Sequence, residues 1–156
     1  MHQIRLKKEY NDIQRIGESD IINSNNIKLN ISLKNNDITH WKVLFNGPID
    51  TPYENGIYEL DVSFSHEYPF KAPIIKFITN IFHPNISTEG EICFDMLKDQ
   101  WTPSLTIYKV LQSVISLLPN PNPDDSLNLE ARNLYKTNKE DYNNMVKNWT
   151  FAYSKN

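Results

Sequence analysis

The apolar residues of this chain keep one period in its first half and another in its second, and few folds satisfy both. Ile27, Leu29, Ile31 and Leu33 alternate with Lys28, Asn30 and Ser32. That period of two predicts a half-buried strand. A second run puts Trp41, Val43 and Phe45 on one face, and a third puts Tyr58, Leu60, Val62 and Phe64 there. The short apolar run at 74–79 completes four strands. Asn35, Asn36 and Asp37 tolerate left-handed backbone and predict a turn. Segments 47–56 and 66–73 are also rich in turn formers. Four strands joined this way predict an antiparallel meander.

Helical spacing brackets the sheet. Leu6, Tyr10 and Ile13 predict an N-terminal helix with Gly17 as its stop. Further on, Ile107, Val110, Leu111, Val114, Ile115 and Leu118 recur at three and four. Thr106 is a ready N-cap for that helix, and Pro119 is its stop. After a proline-dense turn, a short helix is expected from Leu127 to Tyr135. The last helix carries Tyr142, Met145, Val146, Trp149, Ala152 and Tyr153, with Thr137 and Glu140 as a capping box. The order is one helix, four strands, a long loop and three helices, an α+β arrangement with segregated layers. No repeat or linker divides it, so a single domain over 1–156 is expected.

Composition removes several function classes. A chain of 156 residues buries about 68–70% of its unfolded surface and needs neither disulfide nor metal to hold a core. The net charge of -3 argues against nucleic acid and against a polybasic membrane contact. The single cysteine, Cys93, forms no internal disulfide and rules out a multi-cysteine zinc site. His2, His40, His66 and His83 show no ligand spacing, so no metal is expected. The opening MHQIRLKKEYND is charged, with no apolar run behind it. No run approaches the roughly 20 apolar residues of a membrane span. A monomer of the cytoplasm or nucleus is expected, binding neither nucleic acid nor membrane.

The chemistry sits in residues 80–106, a stretch without periodicity of a length that is often functional. It contains Cys93. Free cysteine commonly behaves as a small buried hydrophobe. Against that reading, Glu89, Glu91, Asp95 and Asp99 flank Cys93, with only Lys98 opposing them. Such a surround suits neither a dry core thiol nor the activated thiolate of a cysteine protease. It suits exchange with an acyl group that arrives already activated, such as a thioester. The acidic rim could orient an incoming lysine ammonium. A hydrolase needs a base, and His83 is the nearest candidate. Pro84 biases His83 to extended backbone, and its ring is better read as holding a turn together. Asn85 could donate to a developing oxyanion or pin the loop backbone.

These residues carry a resemblance. His83-Pro84-Asn85-Ile86, Glu89-Gly90-Glu91-Ile92-Cys93, and then Leu97, Trp101, Pro103, Leu105 and Thr106 resemble the ubiquitin-conjugating enzymes, or E2s. Tyr68-Pro69-Phe70-Lys71-Ala72-Pro73 is similar to the E2 YPF-x-x-P loop, and Asn120-Pro121-Asn122-Pro123-Asp124-Asp125 to the E2 PNP-D/E-D turn. The match spans essentially the whole chain and implies the E2 core fold. It implies that Cys93 takes ubiquitin from an activating enzyme (E1) as a thioester. A substrate lysine, or a cysteine of a HECT-type ligase (E3), then attacks it. Asn85 matches the residue credited with oxyanion stabilisation or loop ordering. Asp95 and Asp125 match acidic positions that orient the attacking lysine and accept its proton, while His83 and Pro84 structure the loop. Arg5, Lys8, Pro69, Phe70, Pro103 and Ser104 match the surface used by E1 and by RING or HECT ligases. From the residues alone, Phe70 reads as a loop anchor in the core and Arg5 and Lys8 as a solvated helix face. Gln112 falls on the helix that packs against donor ubiquitin. No cofactor is implied, since ATP is used by the E1. The partners implied are ubiquitin, E1, E3 and protein substrates.

The departures bear on partner choice. Ser104 stands where many members have alanine, and Ile4 where lysine is frequent. Gln112 replaces a common leucine, and Ser126 a usual proline after Asp125. The segment from Ser19 to Asn26 is longer than in the smallest members and reads as a solvated linker. No acidic insertion separates Cys93 from Trp101, and the chain opens directly on its first helix. Ubiquitin is therefore the expected modifier. NEDD8 or another ubiquitin-like protein is the alternative, and a non-catalytic ubiquitin-binding scaffold is a further one.

Overall fold

The computed structural model describes residues 2–18 and 29–154. Helix α1, His2–Glu18, is followed by strands β1 (Leu29–Lys34), β2 (Asp37–Asn46), β3 (Ile57–Ser63) and β4 (Ile74–Phe77). Helices α2 (Ile107–Leu117), α3 (Leu129–Thr137) and α4 (Lys139–Tyr153) follow, with a 3-10 turn at Asp95–Leu97 between β4 and α2. The sheet has the order β1-β2-β3-β4, antiparallel throughout. This is the expected α+β meander with an N-terminal helix.

Register follows the period-two pattern. Trp41 pairs with Val62, Val43 with Leu60 and Phe45 with Tyr58, and β4 sets Ile75 beside Val62 and Phe77 beside Leu60. All are buried on one face. Leu6 and Ile13 of α1, Val110, Leu111, Val114 and Ile115 of α2, and Tyr142 and Val146 of α4 join the same core. The β1–β2 turn is made by Asn35 and Asn36 at φ 54 and 58. Left-handed backbone at both positions matches the twist of the flanking strands.

Several boundaries differ from expectation. Ile27 and Lys28 of the first expected strand, and the Ser19 to Asn26 segment, lie outside the described residues. Helix α1 passes through Gly17 to Glu18. The third helix begins at Leu129 rather than Leu127, because Leu127 N and Asn128 N both donate to Pro84 O, at 2.8 and 3.2 Å. Asn128 then caps the helix by accepting from Ala131 N. Thr137 and Glu140 do not form a capping box. Thr137 Oγ1 donates back to Asn133 O inside α3. The cap lies one residue on: Asn138 Oδ1 accepts from Asp141 N, and Asn138 Nδ2 donates to Asp141 Oδ2. The Thr106 cap holds, accepting from Lys109 N at 3.2 Å.

Candidate active site

Residues 81–86 are all buried although they form no helix or strand. A buried irregular segment must find partners for its backbone groups, and here it finds them across the fold. Ile86 N bonds His83 O, Ser87 N bonds Glu91 O, and Phe77 N bonds Gly90 O. Gly90 turns at φ 92 with its α-carbon against Phe77 O, where an added Cβ would sit 2.1 Å from that oxygen. Only glycine fits there.

Three consecutive residues tie four segments together. His83 is fully buried, accepts from Asn85 N through Nδ1 at 3.0 Å, and donates through Nε2 to Leu117 O at 2.9 Å, at the end of α2. Burial pushes its pKa down to about 4, so the ring is neutral near pH 7. With both nitrogens committed away from the thiol, His83 has no free atom with which to act as its base. Pro84 O receives the two amides that precede α3. Asn85, also fully buried, donates through Nδ2 to Asn122 O at 2.6 Å and Asp125 O at 2.7 Å, and accepts from Asn122 N at 2.8 Å. Its own carbonyl accepts from Cys93 N at 2.8 Å.

Cys93 is half-buried with a free thiol, which is not the setting of a dry core cysteine. The charged atom in hydrogen-bond range of Sγ is Lys98 Nζ, at 3.7 Å. The thiol thus meets a cation where the sequence pattern suggested a carboxylate surround. Asp95 is exposed in the first turn of the 3-10 helix. Asp125 is exposed on the proline-rich turn, with Oδ2 accepting from Asn122 Nδ2 at 3.1 Å. Gln112 lies half-buried on α2 beside buried Leu111.

The remaining candidates form a second group, joined through Arg5, Tyr68, Trp101 and Leu105. Phe70 is 80% exposed, which overturns its reading as a core anchor. Its loop is held from behind, where Trp101 Nε1 donates to Pro69 O at 2.9 Å. Pro103 and Ser104 are exposed, and Ser104 Oγ bonds Thr102 Oγ1 at 2.9 Å. Lys8 is exposed on α1. Arg5 is more than a solvated helix residue: Nη2 donates to Leu105 O at 2.9 Å, and its guanidinium lies over the Tyr68 ring.

The residue that organises this end is Glu9, for which no role is expected from the sequence. It is buried, and its carboxylate accepts from Tyr68 OH at 2.6 Å, Ile107 N at 3.0 Å and Arg5 Nε at 3.3 Å. It thereby joins α1, the Phe70 loop and the first residue of α2. Burial and the Glu9 carboxylate both push the Tyr68 hydroxyl pKa upward. Position 9 lies three after Leu6 and four before Ile13, on the apolar face of α1. A charged residue there was the legible signal.

Among the described residues, no cluster of three or more His, Cys, Asp or Glu side chains could hold a metal ion, and no helix is long and apolar enough to cross a membrane.

The family model for ubiquitin-conjugating enzymes matches residues 5–150. A solved E2 domain of a ubiquitin conjugating enzyme from Toxoplasma gondii is 36% identical, covering 99% of this chain and 100% of that one at a TM-score of 0.87. A structure from Plasmodium yoelii, described as a ubiquitin conjugating enzyme, is 35% identical, covering 100% of this chain and 97% of that one at the same TM-score. Agreement in sequence and fold over nearly the full length makes this chain a member of the ubiquitin-conjugating enzyme family, the transferases called E2s.

Proposed function

We propose that Cys93 accepts ubiquitin from an E1 by thioester exchange and passes it on to a lysine or to a ligase cysteine. In charging, the Cys93 sulfur bonds the ubiquitin C-terminal carbonyl carbon and the E1 sulfur leaves. In transfer, an incoming amine or thiol takes that carbonyl and Cys93 is released. The observation that carries this reading is the double grip of Asn85, whose carbonyl holds the Cys93 amide while its side chain holds the 122–125 turn. A half-exposed thiol on a rigid support, with the His83 ring committed elsewhere, suits an acyl group that is already activated.

The residue roles follow. Both amide hydrogens of Asn85 are engaged with Asn122 O and Asp125 O, so its part in this arrangement is to fix the thiol and the turn. Oxyanion donation would require one of these bonds to open. Asp95 and Asp125 orient the attacking ammonium and take its proton, and His83 and Pro84 keep the loop in place. Arg5, Lys8, Pro69, Phe70, Pro103 and Ser104 receive E1 and RING or HECT ligases, and Gln112 faces donor ubiquitin. ATP is consumed by the E1, and this chain uses no cofactor of its own. It works as a monomer in cytoplasm or nucleus.

The test is a charging assay with E1, magnesium-ATP and ubiquitin, run beside NEDD8 and its own E1. A reductant-sensitive ubiquitin adduct that disappears in Cys93→Ala is expected. An adduct with NEDD8 alone would change the modifier, and no adduct with either would leave a binding scaffold as the better account.

A further inference from the structure

The sequence holds two Ser/Thr-Pro dipeptides, Thr51-Pro52 and Thr102-Pro103, and the fold treats them differently. Thr51 is half-buried and its hydroxyl is spent on backbone: Oγ1 donates to Pro48 O at 2.6 Å and accepts from Tyr53 N at 3.2 Å. Thr102 is exposed, as are Pro103 and Ser104 after it. Its hydroxyl bonds the Ser104 hydroxyl at 2.9 Å, a surface contact that water can replace. Thr102 lies in neither helix nor strand, and the proline behind it biases it to extended backbone. A cation stands on the same turn. Thr102 O accepts from Leu105 N at 3.0 Å, closing a four-residue turn whose end Cα atoms lie within about 7 Å. Arg5 Nη2 donates to Leu105 O at 2.9 Å.

We propose that Thr102 is a phosphorylation site for a proline-directed protein kinase, and that a phosphate there weakens docking of the E1. The inference rests on the reading of Arg5 and its neighbours as the E1-facing surface. The co-reactant is magnesium-ATP held by the kinase. The Thr102 Oγ1 bonds the γ-phosphorus, the bond from that phosphorus to the bridging oxygen breaks, and ADP leaves. The hydroxyl proton passes to the kinase's own base. The product carries about -1.5 to -2 of charge at pH 7 and three strong acceptor oxygens, on a chain whose net charge is -3. A guanidinium on the same turn answers it with charge-assisted hydrogen bonds. Arg5 already shares its Nε with the Glu9 carboxylate at 3.3 Å, and a dianion on the solvent side competes for it. The cation that α1 offers to a docking protein is thereby neutralised, and the exposed Pro103 and Ser104 acquire a charged neighbour. The Cys93 seat lies outside this turn, so the thioester chemistry itself is left intact.

The test is to treat the full chain with a mitogen-activated protein kinase and magnesium-ATP, remove the kinase, and compare E1 charging of treated and untreated protein. Peptide mass spectrometry should place phosphate on Thr102 and not on Thr51. Charging at low protein concentration should slow at least tenfold, and should recover toward the untreated rate at high concentration, as weakened docking requires. Thr102→Val should take up no phosphate and charge at one rate before and after treatment. In phosphorus NMR the phosphate should titrate below its ordinary pKa of about 6, because a neighbouring guanidinium favours the dianion. An unmodified Thr102, a phosphorylated protein that charges as before or slows equally at every concentration, or a phosphate that titrates normally overturns this inference alone. Failure of the untreated protein to form a reductant-sensitive adduct overturns the thioester reading together with it.

Discussion

Two buried polar clusters hold the irregular parts of this molecule, and they are built from opposite chemistry. Around the thiol the cluster is neutral: His83 and Asn85 bond almost entirely to backbone amides and carbonyls. Behind the exposed Phe70 loop the cluster is ionic: the Glu9 carboxylate gathers Arg5, the Tyr68 hydroxyl and the Ile107 amide. Among the described residues no buried side-chain nitrogen or oxygen lacks a partner. The difference lies in what each cluster must hold. Neutral groups bonded to backbone give the thiol a rigid seat and leave Lys98 as the charged side chain in hydrogen-bond range of it among the described residues. A carboxylate at the first turn of α2 also meets the positive end of the helix dipole, and it brings three elements to one point.

The largest effect expected is from breaking the ionic cluster. Glu9→Ala leaves a guanidinium, a hydroxyl and an amide without their acceptor. Truncating one partner of a buried ion pair destabilises by about 3–5 kcal/mol. The exposed side of Arg5 places the effect at the lower end. Urea unfolding at pH 7 measures it. Glu9→Gln, which keeps an acceptor oxygen, should recover part of the loss. An Ala variant as stable as the parent would show that the cluster holds nothing.

The neutral cluster is probed next by acid. His83 has a folded pKa of about 4 against an ordinary 6.5. The unfolded chain binds the proton more readily, so stability is full above pH 6.5 and falls as pH drops toward 4. The loss amounts to about 3 kcal/mol, at 1.36 kcal/mol per unit. Urea midpoints between pH 7.5 and 4.5 follow it, and the imidazole proton resonances assign it. A ring that titrates near 6.5 would contradict the buried neutral tautomer.

Asn85→Ala should cost about 2 kcal/mol, because it strips partners from a turn that water can partly reach. Its functional effect should be larger: both charging and transfer should slow at least tenfold, since seat and turn loosen together. Slowing of transfer alone would sharpen the comparison differently and assign the amide to the oxyanion. The smallest stability change is expected of Phe70→Ala. At 80% exposure its removal should stay within about 0.5 kcal/mol of the parent. Ligase-stimulated transfer should still drop at least tenfold, which separates a docking residue from a structural one.

How far each region could be read from the sequence follows the same division. Alternation at Trp41, Val43 and Phe45 announced a strand, because one face of a pleated sheet must be dry. The match of the HPN tripeptide, Cys93 and Phe70 to a known family marked both regions as candidates. Glu9 carried a visible signal, a carboxylate on the apolar face of α1, but nothing in its neighbours says that a tyrosine and a helix end will close over it. The start of α3 was missed by two residues and the cap of α4 by one, for a related reason. Asn128 and Asn138 compete with equally good neighbours, and for α3 the choice is made by Pro84 O, far away in sequence.

By itself, then, the sequence determined the elements, their order, the antiparallel sheet and the family, since periodicity and short motifs are local properties written into adjacent residues. Tertiary structure alone decided that Asn85 has no spare hydrogen, that Glu9 is buried, that Phe70 is bare and that Lys98 stands beside the thiol. Each of these depends on which distant backbone or side-chain groups arrive at the same point, and such partners are chosen by packing the whole core rather than by any residue's neighbours in the chain.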